Sequence, residues 1–262
     1  MQCGALALLL TTATGCSVPA FGWPKGITPQ ADRMMQLWKG SVVAALAVGA
    51  FAVIAMAWAV IAYRKRNDDL PRQTTHNLGV EIVFTIVPFI IVSGLFYYTV
   101  GAENFVQKKT SNPDVNIGVV GFRWNWQFRH VAADGTPLGI ETGRPSQPAQ
   151  LVLPAGKKIR FTETSPDVIH SFWVPAFLFK LDVIPGRKNS FELTINQTGT
   201  YVGRCAELCG VDHDRMNFTV KVVSFEEYQA YLAQRPGLDS SGDPTAITDT
   251  TGGATAAAGS HQ

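Results

Sequence analysis

One stretch of the sequence, residues 201–216, concentrates side chains that bind soft metal ions. Cys205 and Cys209 lie four residues apart, His213 follows four residues later, and Met216 follows after three more. Thiolate and thioether ligands favour copper or zinc, and a thioether favours copper over zinc. A mononuclear blue-copper site uses one Cys, two His and a weak axial Met, so this stretch has one thiolate too many. Two thiolates can instead bridge two copper ions, each of which then takes one imidazole.

This two-copper interpretation requires a second histidine from elsewhere in the chain. The sequence has five: His76, His130, His170, His213 and His261. His261 lies in a low-complexity tail and His76 in a charged loop, whereas His170 lies in an apolar run ahead of a strand-like stretch. A lone histidine in an apolar run is usually a satisfied core residue. Beside a loop of this composition, His170 is the better candidate for a ligand.

Two other structures are compatible with a pair of nearby cysteines. In an exported protein Cys205 and Cys209 can close a disulfide. Two thiolates and two imidazoles also suit a tetrahedral zinc site. Neither alternative explains Met216, the Glu207 between the thiols, or the long apolar segments upstream.

The loop Cys205-x-Glu207-x-Cys209-Gly-x-x-His213-x-x-Met216, preceded by His170-Ser-Phe-Trp-Val-Pro, resembles the binuclear copper A centre of cytochrome c oxidase subunit II. The resemblance covers roughly residues 35–230. It implies that the two cysteines bridge the coppers and that His170 and His213 bind one copper each. It further implies Met216 as an axial ligand of one copper and the Glu207 backbone carbonyl as an axial ligand of the other. The Glu207 carboxylate is implied to bind magnesium or manganese shared with the catalytic subunit.

The N-terminal residues 1–16 have a short apolar core followed by small residues, which is typical of an export signal. Ala13-Thr14-Gly15-Cys16 resembles a bacterial lipobox, in which Cys16 is lipidated and becomes the mature N-terminus. An uncleaved hydrophobic N-terminus with an incidental Cys is the alternative. Residues 17–40 are rich in Pro and Gly and are expected to form an exported linker.

Residues 41–100 are predicted to form a transmembrane helical hairpin. Ser41 to Ala62 carries no charge, and a bilayer core of about 30 Å needs about 20 apolar helical residues. A second apolar segment runs from Val80 to Val100, and the loop 63–79 between them carries Arg64, Lys65, Arg66 and Arg72. Short loops enriched in Lys and Arg stay cytoplasmic. The chain is therefore expected to cross the membrane twice, with the remainder on the outer face, and the resemblance implies that the membrane is a bacterial cell membrane.

Glu81, near the start of the second apolar segment, has two interpretations. An ionisable residue in a spanning helix marks a proton or ion path by default, but one close to the helix end can extend to water. Position alone leaves the two equal. In the oxidase family a Glu followed by Thr-x-x-Pro at this place marks the entry of a proton path, and Glu81, Thr85 and Pro88 match that pattern.

Residues 112–235 change to strand-like patterning. A long strand or hairpin arm is predicted at 115–128, and five further strands at 150–153, 158–164, 190–195, 201–204 and 217–223. Several short strands at this spacing favour a β-sandwich or barrel. The predicted fold class is a membrane-anchored mixed protein, with a two-helix transmembrane hairpin followed by an all-β cupredoxin-like Greek-key barrel. Ser224 and Glu227 predict a helix opened by a capping box, and residues 236–262 are expected to be disordered.

Trp124 and Trp126 lie two residues apart and would share one face of a strand, where core packing is the default. The family resemblance instead places Trp124 at the surface above copper A, where electrons enter. The chain has no Cys-x-x-Cys-His haem attachment signature, so the electrons must come from a separate cytochrome c, which is soluble, tethered or part of a supercomplex.

The resemblance thus implies the electron-entry subunit of a bacterial aa3-type oxidase. Its copper A passes electrons to a haem of subunit I, which also holds copper B and reduces oxygen to water with proton pumping. The expected partners are subunits I and III, a cytochrome c and membrane lipid. A formal net charge of +2 indicates no partner class, and we expect no nucleic-acid partner. An oxidase-like nitric oxide reductase and a membrane-anchored copper-delivery module are the alternatives.

Overall fold

The computed structural model describes residues 20–68, 70, 73–144 and 146–234. The expected export signal 1–16 with Cys16, and the expected disordered tail 236–262, lie outside these residues. The described chain falls into two compact units. One contains the residues up to Lys108 together with Ala176–Leu178, and the other contains the remainder from Lys109 onward.

The first unit contains two long helices, α1 (Pro29–Ala62) and α2 (Leu78–Val106). The side chain of Thr28 accepts a hydrogen bond from the Ala31 amide and caps α1, whose first position is Pro29. Asn77 caps α2 in the same way through the Val80 amide. Each helix is long and apolar enough to cross a membrane, with mean hydropathy of 2.4 and 2.3 in the most apolar window, and neither window is buried within the protein.

Both helices are longer than the sequence patterns predicted. The linker expected over 17–40 is wrong from Pro29 onward, because α1 begins there rather than at Ser41. The second helix extends six residues beyond Val100, and the connecting segment ends at Asn77. A hydropathy pattern detects only the apolar part of a helix, whereas Thr at the N-cap followed by Pro at the first position begins α1.

Within the described residues, the second unit is a β-sandwich of ten strands followed by one helix. The strands are β1 (Val115–Phe122), β2 (Asn125–Val131), β3 (Pro137–Thr142), β4 (Gln150–Pro154), β5 (Lys158–Thr164), β6 (His170–Val174), β7 (Phe179–Val183), β8 (Asn189–Thr194), β9 (Gly199–Cys205) and β10 (Asn217–Val223). One sheet has the order β3-β2-β1-β5-β8 and the other β4-β10-β9-β6-β7. The pairs β1–β5 and β4–β10 are parallel, and the other pairs are antiparallel. This is the cupredoxin-like architecture that was predicted.

A cluster of aromatic rings fills the space between the sheets. Its fully buried members are Trp126, Phe128, Phe161, Phe172 and Phe218. The Trp126 and Phe218 ring centroids lie 5.2 Å apart and those of Phe172 and Phe218 5.0 Å apart, distances at which aromatic pairs attract one another beyond their burial. The cluster ties β2, β6 and β10 together beneath the loop that carries the cysteines.

The five further strands predicted from patterning are present, and their ends lie within two residues of the expected ones. The stretch 115–128 forms two arms of a hairpin, with a turn at Arg123 and Trp124. Strands β3 and β7 were not predicted, because Pro137 and Gly139 weaken the pattern in β3 and β7 is short with charged Lys180 and Asp182. The capping box is confirmed: Ser224 and Glu227 bond reciprocally at the start of α3 (Phe225–Ala233).

Candidate metal centre

Two adjacent strands bring the first histidine and the first cysteine together. Strands β6 and β9 are antiparallel neighbours, with Phe172 opposite Cys205. The Ala206 amide donates to the Ser171 carbonyl at 3.0 Å and continues this pairing beyond β9. His170, at the start of β6, therefore lies beside Cys205, at the end of β9. Both side chains are buried, His170 completely.

The loop after Cys205 turns back on itself and delivers the remaining ligands. Gly210 has φ +121°, which only glycine adopts without strain, and it allows the chain to reverse after Cys209. A short 3₁₀ turn, His213–Arg215, follows. The Cys205 amide then donates to the Met216 carbonyl at 3.0 Å, which closes the loop at the base of β10. The backbone of this loop thus places His213 and Met216 beside the two cysteines.

The predicted ligand atoms converge in one place. The two cysteine Sγ atoms lie 3.9 Å apart, and Cys205 Sγ lies 3.9 Å from His170 Nδ1. Cys209 Sγ lies 3.5 Å from His213 Nδ1 and 3.7 Å from Met216 Sδ. The ligand atoms of His170 and both cysteines all lie within 4.8 Å of one another. Cys205 Sγ also lies 3.3 Å from the backbone carbonyl oxygen of Glu207.

This donor set fits copper better than the alternatives. A disulfide has its sulfurs about 2.05 Å apart, so a separation of 3.9 Å marks two free cysteines. A metal ion with bonds of about 2.3 Å to each thiolate can lie between sulfurs at that distance. The thioether of Met216 is 1% exposed and directed at Cys209, and a buried thioether favours copper over zinc.

Asp167 orients the His170 ring, a contact that the sequence patterns did not predict. Its carboxylate oxygen lies 2.9 Å from His170 Nε2. Since a carboxylate only accepts hydrogen bonds, Nε2 donates, and the lone pair of Nδ1 is left facing Cys205. The amides of Arg123 and Val168 donate to the same carboxylate and hold it in place. The signal available in the sequence was a carboxylate three residues before the histidine.

The two thiols differ in acidity. Burial raises the pKa of Cys205, but the contacts of its thiol with the His170 ring and with the nearby backbone outweigh burial and lower the pKa to about 7. Burial and then the charge of Cys205 raise the pKa of Cys209 to about 12. Two neighbouring thiolates repel each other in the absence of a cation. Both cysteines therefore become thiolates together only when a metal ion binds and releases their protons.

The two tryptophans have different surroundings, so the prediction that they share a strand face is wrong. Trp124 lies in the turn between β1 and β2, half-buried, and its Nε1 donates to the Cys209 carbonyl at 3.1 Å. Trp126 lies in the core, where its Nε1 donates to the Met216 carbonyl at 3.2 Å. The turn interrupts the alternation that would have aligned them. Trp124 is thus in direct contact with the cysteine loop.

The other predicted site residues are Glu81, which belongs to the helical unit, and the Glu207 side chain. Glu81 lies in the first turn of α2, where Oε1 accepts a hydrogen bond from the Asn77 amide at 3.3 Å. The Thr85 hydroxyl donates to the Glu81 carbonyl at 2.7 Å, and Pro88 lies inside the helix. The Glu207 side chain is exposed, while its carbonyl faces Cys205.

Two long apolar helices followed by a cupredoxin-like domain with a candidate metal site define a class of membrane-anchored proteins. Family models match at residues 17–99, described as the cytochrome c oxidase subunit II transmembrane domain, and at 145–223, described as the periplasmic domain. The chain belongs to the cytochrome c oxidase subunit II family. It is therefore part of a haem-copper oxidase complex, an oxidoreductase, and the family implies copper A at the His/Cys/Cys cluster.

Two relatives that match over most of this chain support the same assignment. The chain is 42% identical to a probable cytochrome c oxidase subunit 2 of Streptomyces avermitilis, over 88% of this chain and 85% of the relative. It is 38% identical to cytochrome c oxidase subunit 2 of Mycobacterium tuberculosis, over 88% of this chain and 80% of that protein. A crystal structure of the periplasmic domain of subunit II of cytochrome oxidase from Bradyrhizobium japonicum matches with 30% identity and a TM-score of 0.43, over 48% of this chain and 96% of that one.

Proposed function

We propose that this chain is the electron-entry subunit of its oxidase, and that the cluster around Cys205 and Cys209 holds a binuclear copper A centre. The observation that carries the proposal is the convergence of two thiols, two imidazole Nδ1 atoms, one thioether and one carbonyl oxygen in a mostly buried loop. When bound, the two copper ions accept and release one electron at a time. Cys205 and Cys209 would together hold both copper ions, and His170 and His213 would hold one each.

The protein contributes a rigid and dry ligand set. Met216 and the Glu207 carbonyl would supply the weak ligands that tune the reduction potential at copper–thiolate sites. Cys205, Cys209 and Met216 are 8%, 5% and 1% exposed, so little water has to reorganise when the charge of the centre changes. The backbone bonds that anchor the loop to β6 and β10 keep the ligands in place in both oxidation states.

Trp124 is the proposed point of electron entry. Its indole is half-buried, so one part reaches the surface while Nε1 bonds the backbone of a bridging cysteine. A cytochrome c docked over this turn transfers its electron through the ring into the centre. Trp124→Phe is expected to slow electron entry while the copper spectrum is preserved. Trp173→Phe, a half-buried tryptophan on β6, is the matched control. Equal slowing by both variants, or by neither, would remove Trp124 from this role.

The electrons then pass to a haem of subunit I, where oxygen is reduced to water with proton pumping. The exposed Glu207 carboxylate is free to supply one oxygen ligand to a magnesium or manganese ion shared with subunit I. Subunit III is the other proposed partner within the complex. Glu207→Gln is expected to lower the bound magnesium or manganese of the purified complex, as measured by elemental analysis, and an unchanged content would contradict this role.

The β domain is proposed to lie on the outer face of a bacterial cell membrane. Arg64, Lys65 and Arg66 follow α1 directly, and positive charge in a short loop favours the cytoplasmic side. A cysteine introduced at Asn67 should resist impermeant thiol reagents in intact cells, whereas one introduced at exposed Asp134 should react.

Cys16 is proposed to be the lipidated N-terminus of the mature chain. Mass spectrometry of the purified subunit tests it, since an unprocessed N-terminus would exclude lipidation.

Glu81 is proposed as the entry of a proton path into subunit I. It lies in the first turn of α2 with Thr85 and Pro88 following, as in the family pattern. Glu81→Ala is expected to slow oxygen turnover while copper A spectra remain intact. Normal turnover would leave Glu81 with the helix-capping role that its bond to the Asn77 amide already gives it.

Electron paramagnetic resonance of the full chain, reconstituted with copper in detergent, tests the central proposal. One electron shared over two coppers gives seven hyperfine lines, whereas a single copper gives four. The wild-type chain is expected to give seven lines. The Met216→Leu variant should keep a copper site, with an altered reduction potential and slower electron transfer. Four lines, or no signal with bound zinc, would overturn copper A.

A further inference from the structure

A groove runs between the two long helices of the helical unit, and the proposed electron transfer does not use it. It has a volume of about 480 Å³, within the range of roughly 300–1,000 Å³ that is typical of ligand pockets. Its lining from α1 includes Arg33, Leu37 and Ala44, and its lining from α2 includes Ile91 and Leu95.

Two glycines leave the groove open. Gly40 of α1 and Gly94 of α2 both line it, and a Cβ added at either position would meet no atom within 4 Å. From Arg33 to Ala44 the groove follows α1 for 11 residues, or about 16 Å at 1.5 Å per residue. Half of a bilayer core of about 30 Å is about 15 Å. The groove thus has the length of one lipid leaflet.

One end of the groove is cationic. Arg33 is half-buried, and its guanidinium reaches across to α2, where Nη2 would lie 3.6 Å from a Cβ at Gly101. Within the described chain, no carboxylate forms an ion pair with Arg33. Gln36 and the phenol-bearing Tyr98 also line the groove, whereas the lining further along both helices is mostly apolar. A cationic end and an apolar length match an amphipathic anion.

We propose that this groove binds one anionic phospholipid, with its phosphate on Arg33 and an acyl chain along Leu37, Ile91 and Leu95. A guanidinium binds phosphate through two parallel hydrogen bonds, and such charge-assisted bonds are strong where water is scarce. A transmembrane helix of a partner subunit is the rival occupant. It would fill the apolar length, but it would leave the charge of Arg33 uncompensated unless it carried its own acid.

The test compares two glycine variants in the intact oxidase complex. The complex is reconstituted in nanodiscs that contain phosphatidylglycerol and phosphatidylcholine, extracted into detergent, and its retained lipid is counted by native mass spectrometry. Gly94→Phe places a ring in the groove, and its Cβ would meet no protein atom within 4 Å. Gly49→Phe adds the same ring at an exposed position of α1 that has equally open surroundings and does not line the groove.

The wild-type complex and Gly49→Phe are expected to retain one phosphatidylglycerol. The Gly94→Phe complex should retain at least about tenfold less phosphatidylglycerol, because the groove no longer accommodates an acyl chain. Equal retention by the two glycine variants would overturn the proposal. Loss of another subunit from the Gly94→Phe complex would also overturn it and assign the groove to a protein helix. The copper spectrum should be unchanged in all variants, so this result is separate from the copper A proposal.

A second pair of variants tests the headgroup. Arg33→Gln should lower phosphatidylglycerol retention about tenfold, as expected for the loss of a charge-assisted bond worth about 1.5 kcal/mol. Lys39→Gln, which removes a charge from the same helix outside the groove lining, should leave it unchanged. If Lys39→Gln has the same effect as Arg33→Gln, the lipid is held by general surface charge and the proposed site is wrong.

Discussion

Two buried histidines in the β domain have opposite surroundings. His170 is fully buried, with the Asp167 carboxylate 2.9 Å from Nε2 and the Cys205 thiol 3.9 Å from Nδ1. His130 is 1% exposed and packs against α3, where Nδ1 lies 2.9 Å from the hydroxyl of Tyr228. The ring centroids of Trp126 and His170 lie 6.2 Å apart. On β2, Trp126 precedes His130 by four residues, which corresponds to about 13 Å along the strand.

The difference shows that burial alone does not make a histidine a metal ligand. The carboxylate at His170 fixes one ring nitrogen as a donor and leaves the other facing a thiol of lowered pKa. At His130 the neighbours are the rings of Tyr228 and Tyr231, with centroids at 5.6 and 5.7 Å. Burial raises the pKa of Tyr228, so its hydroxyl remains neutral. The first histidine is arranged to bind a cation, and the second is arranged to pack.

Exchanging each histidine for asparagine should have the largest effect. His170→Asn removes an imidazole ligand, and we expect the seven-line copper spectrum to be lost and electron transfer to the haem to stop. His130→Asn should leave the seven-line spectrum unchanged and only lower the thermal stability of the β domain. A preserved seven-line spectrum in His170→Asn, or its loss in folded His130→Asn, would reverse the two assignments.

Asp167→Asn should have the next largest effect, because it weakens the orientation of the His170 ring. Loss of such a supporting carboxylate typically costs about 10–100-fold in metal affinity. Competition with a copper chelator measures this directly in the full chain. Asp134→Asn, in an exposed turn far along the sequence from the ligands, is the matched control. An affinity equal to that of the control would mean that Asp167 does not set the ring orientation.

The substitution Tyr228→Phe tests the contact between the Tyr228 hydroxyl and His130. It removes the hydroxyl that contacts His130 Nδ1 and leaves the aromatic packing in place. A buried polar group that loses its partner costs about 1–3 kcal/mol, so the free energy of unfolding should fall by about that amount. Chemical denaturation measures it, and the copper spectrum should not change. A changed copper spectrum would show that the two histidines are coupled.

Glu163 is a third buried ionisable group. Its expected effect is a change in the free energy of unfolding with pH, and it is the smallest of the predicted effects when counted per pH unit. Within the described residues neither of its carboxylate oxygens has a hydrogen-bond partner. Burial, and then the charge of Asp182, raise the pKa of Glu163 well above its usual 4.5. The folded chain therefore holds a proton that the unfolded chain loses. The resulting stability is fully present below about pH 4.5 and is lost as the pH rises through the folded pKa.

The matched comparison is Glu163→Gln, which cannot ionise. The wild-type free energy of unfolding should fall by up to about 1.4 kcal/mol per pH unit across that window, whereas this contribution should be absent from the variant. At neutral pH, Glu163→Gln should be the more stable of the two by thermal melting. Parallel pH profiles would show that Glu163 is ionised in the folded protein.

Local spacing was enough to predict the ligand loop, because Cys205, Cys209, His213 and Met216 lie within 12 consecutive residues. Hydropathy was enough to find both long helices, although their ends depend on Thr28, Pro29 and Asn77. Strand patterning missed β3 and β7, where charged residues or Pro interrupt the alternation. The position of Trp124 could not be obtained from alternation, because a turn breaks the strand at that point.

The sequence by itself determined the types of the ligand atoms, the two apolar spans and the family of the protein. The sequence favoured His170 as the second imidazole, but only the tertiary structure showed that His170 and not His130 faces the cysteines, since both lie in strands. That choice depends on the pairing of β6 with β9, on Asp167 behind the ring, and on Gly121, where any side chain would press against His170. The β6–β9 pairing and the approach of Gly121 to His170 join residues distant in the chain, and Asp167 is itself held by the Arg123 amide, so this arrangement exists only once the sheets have formed.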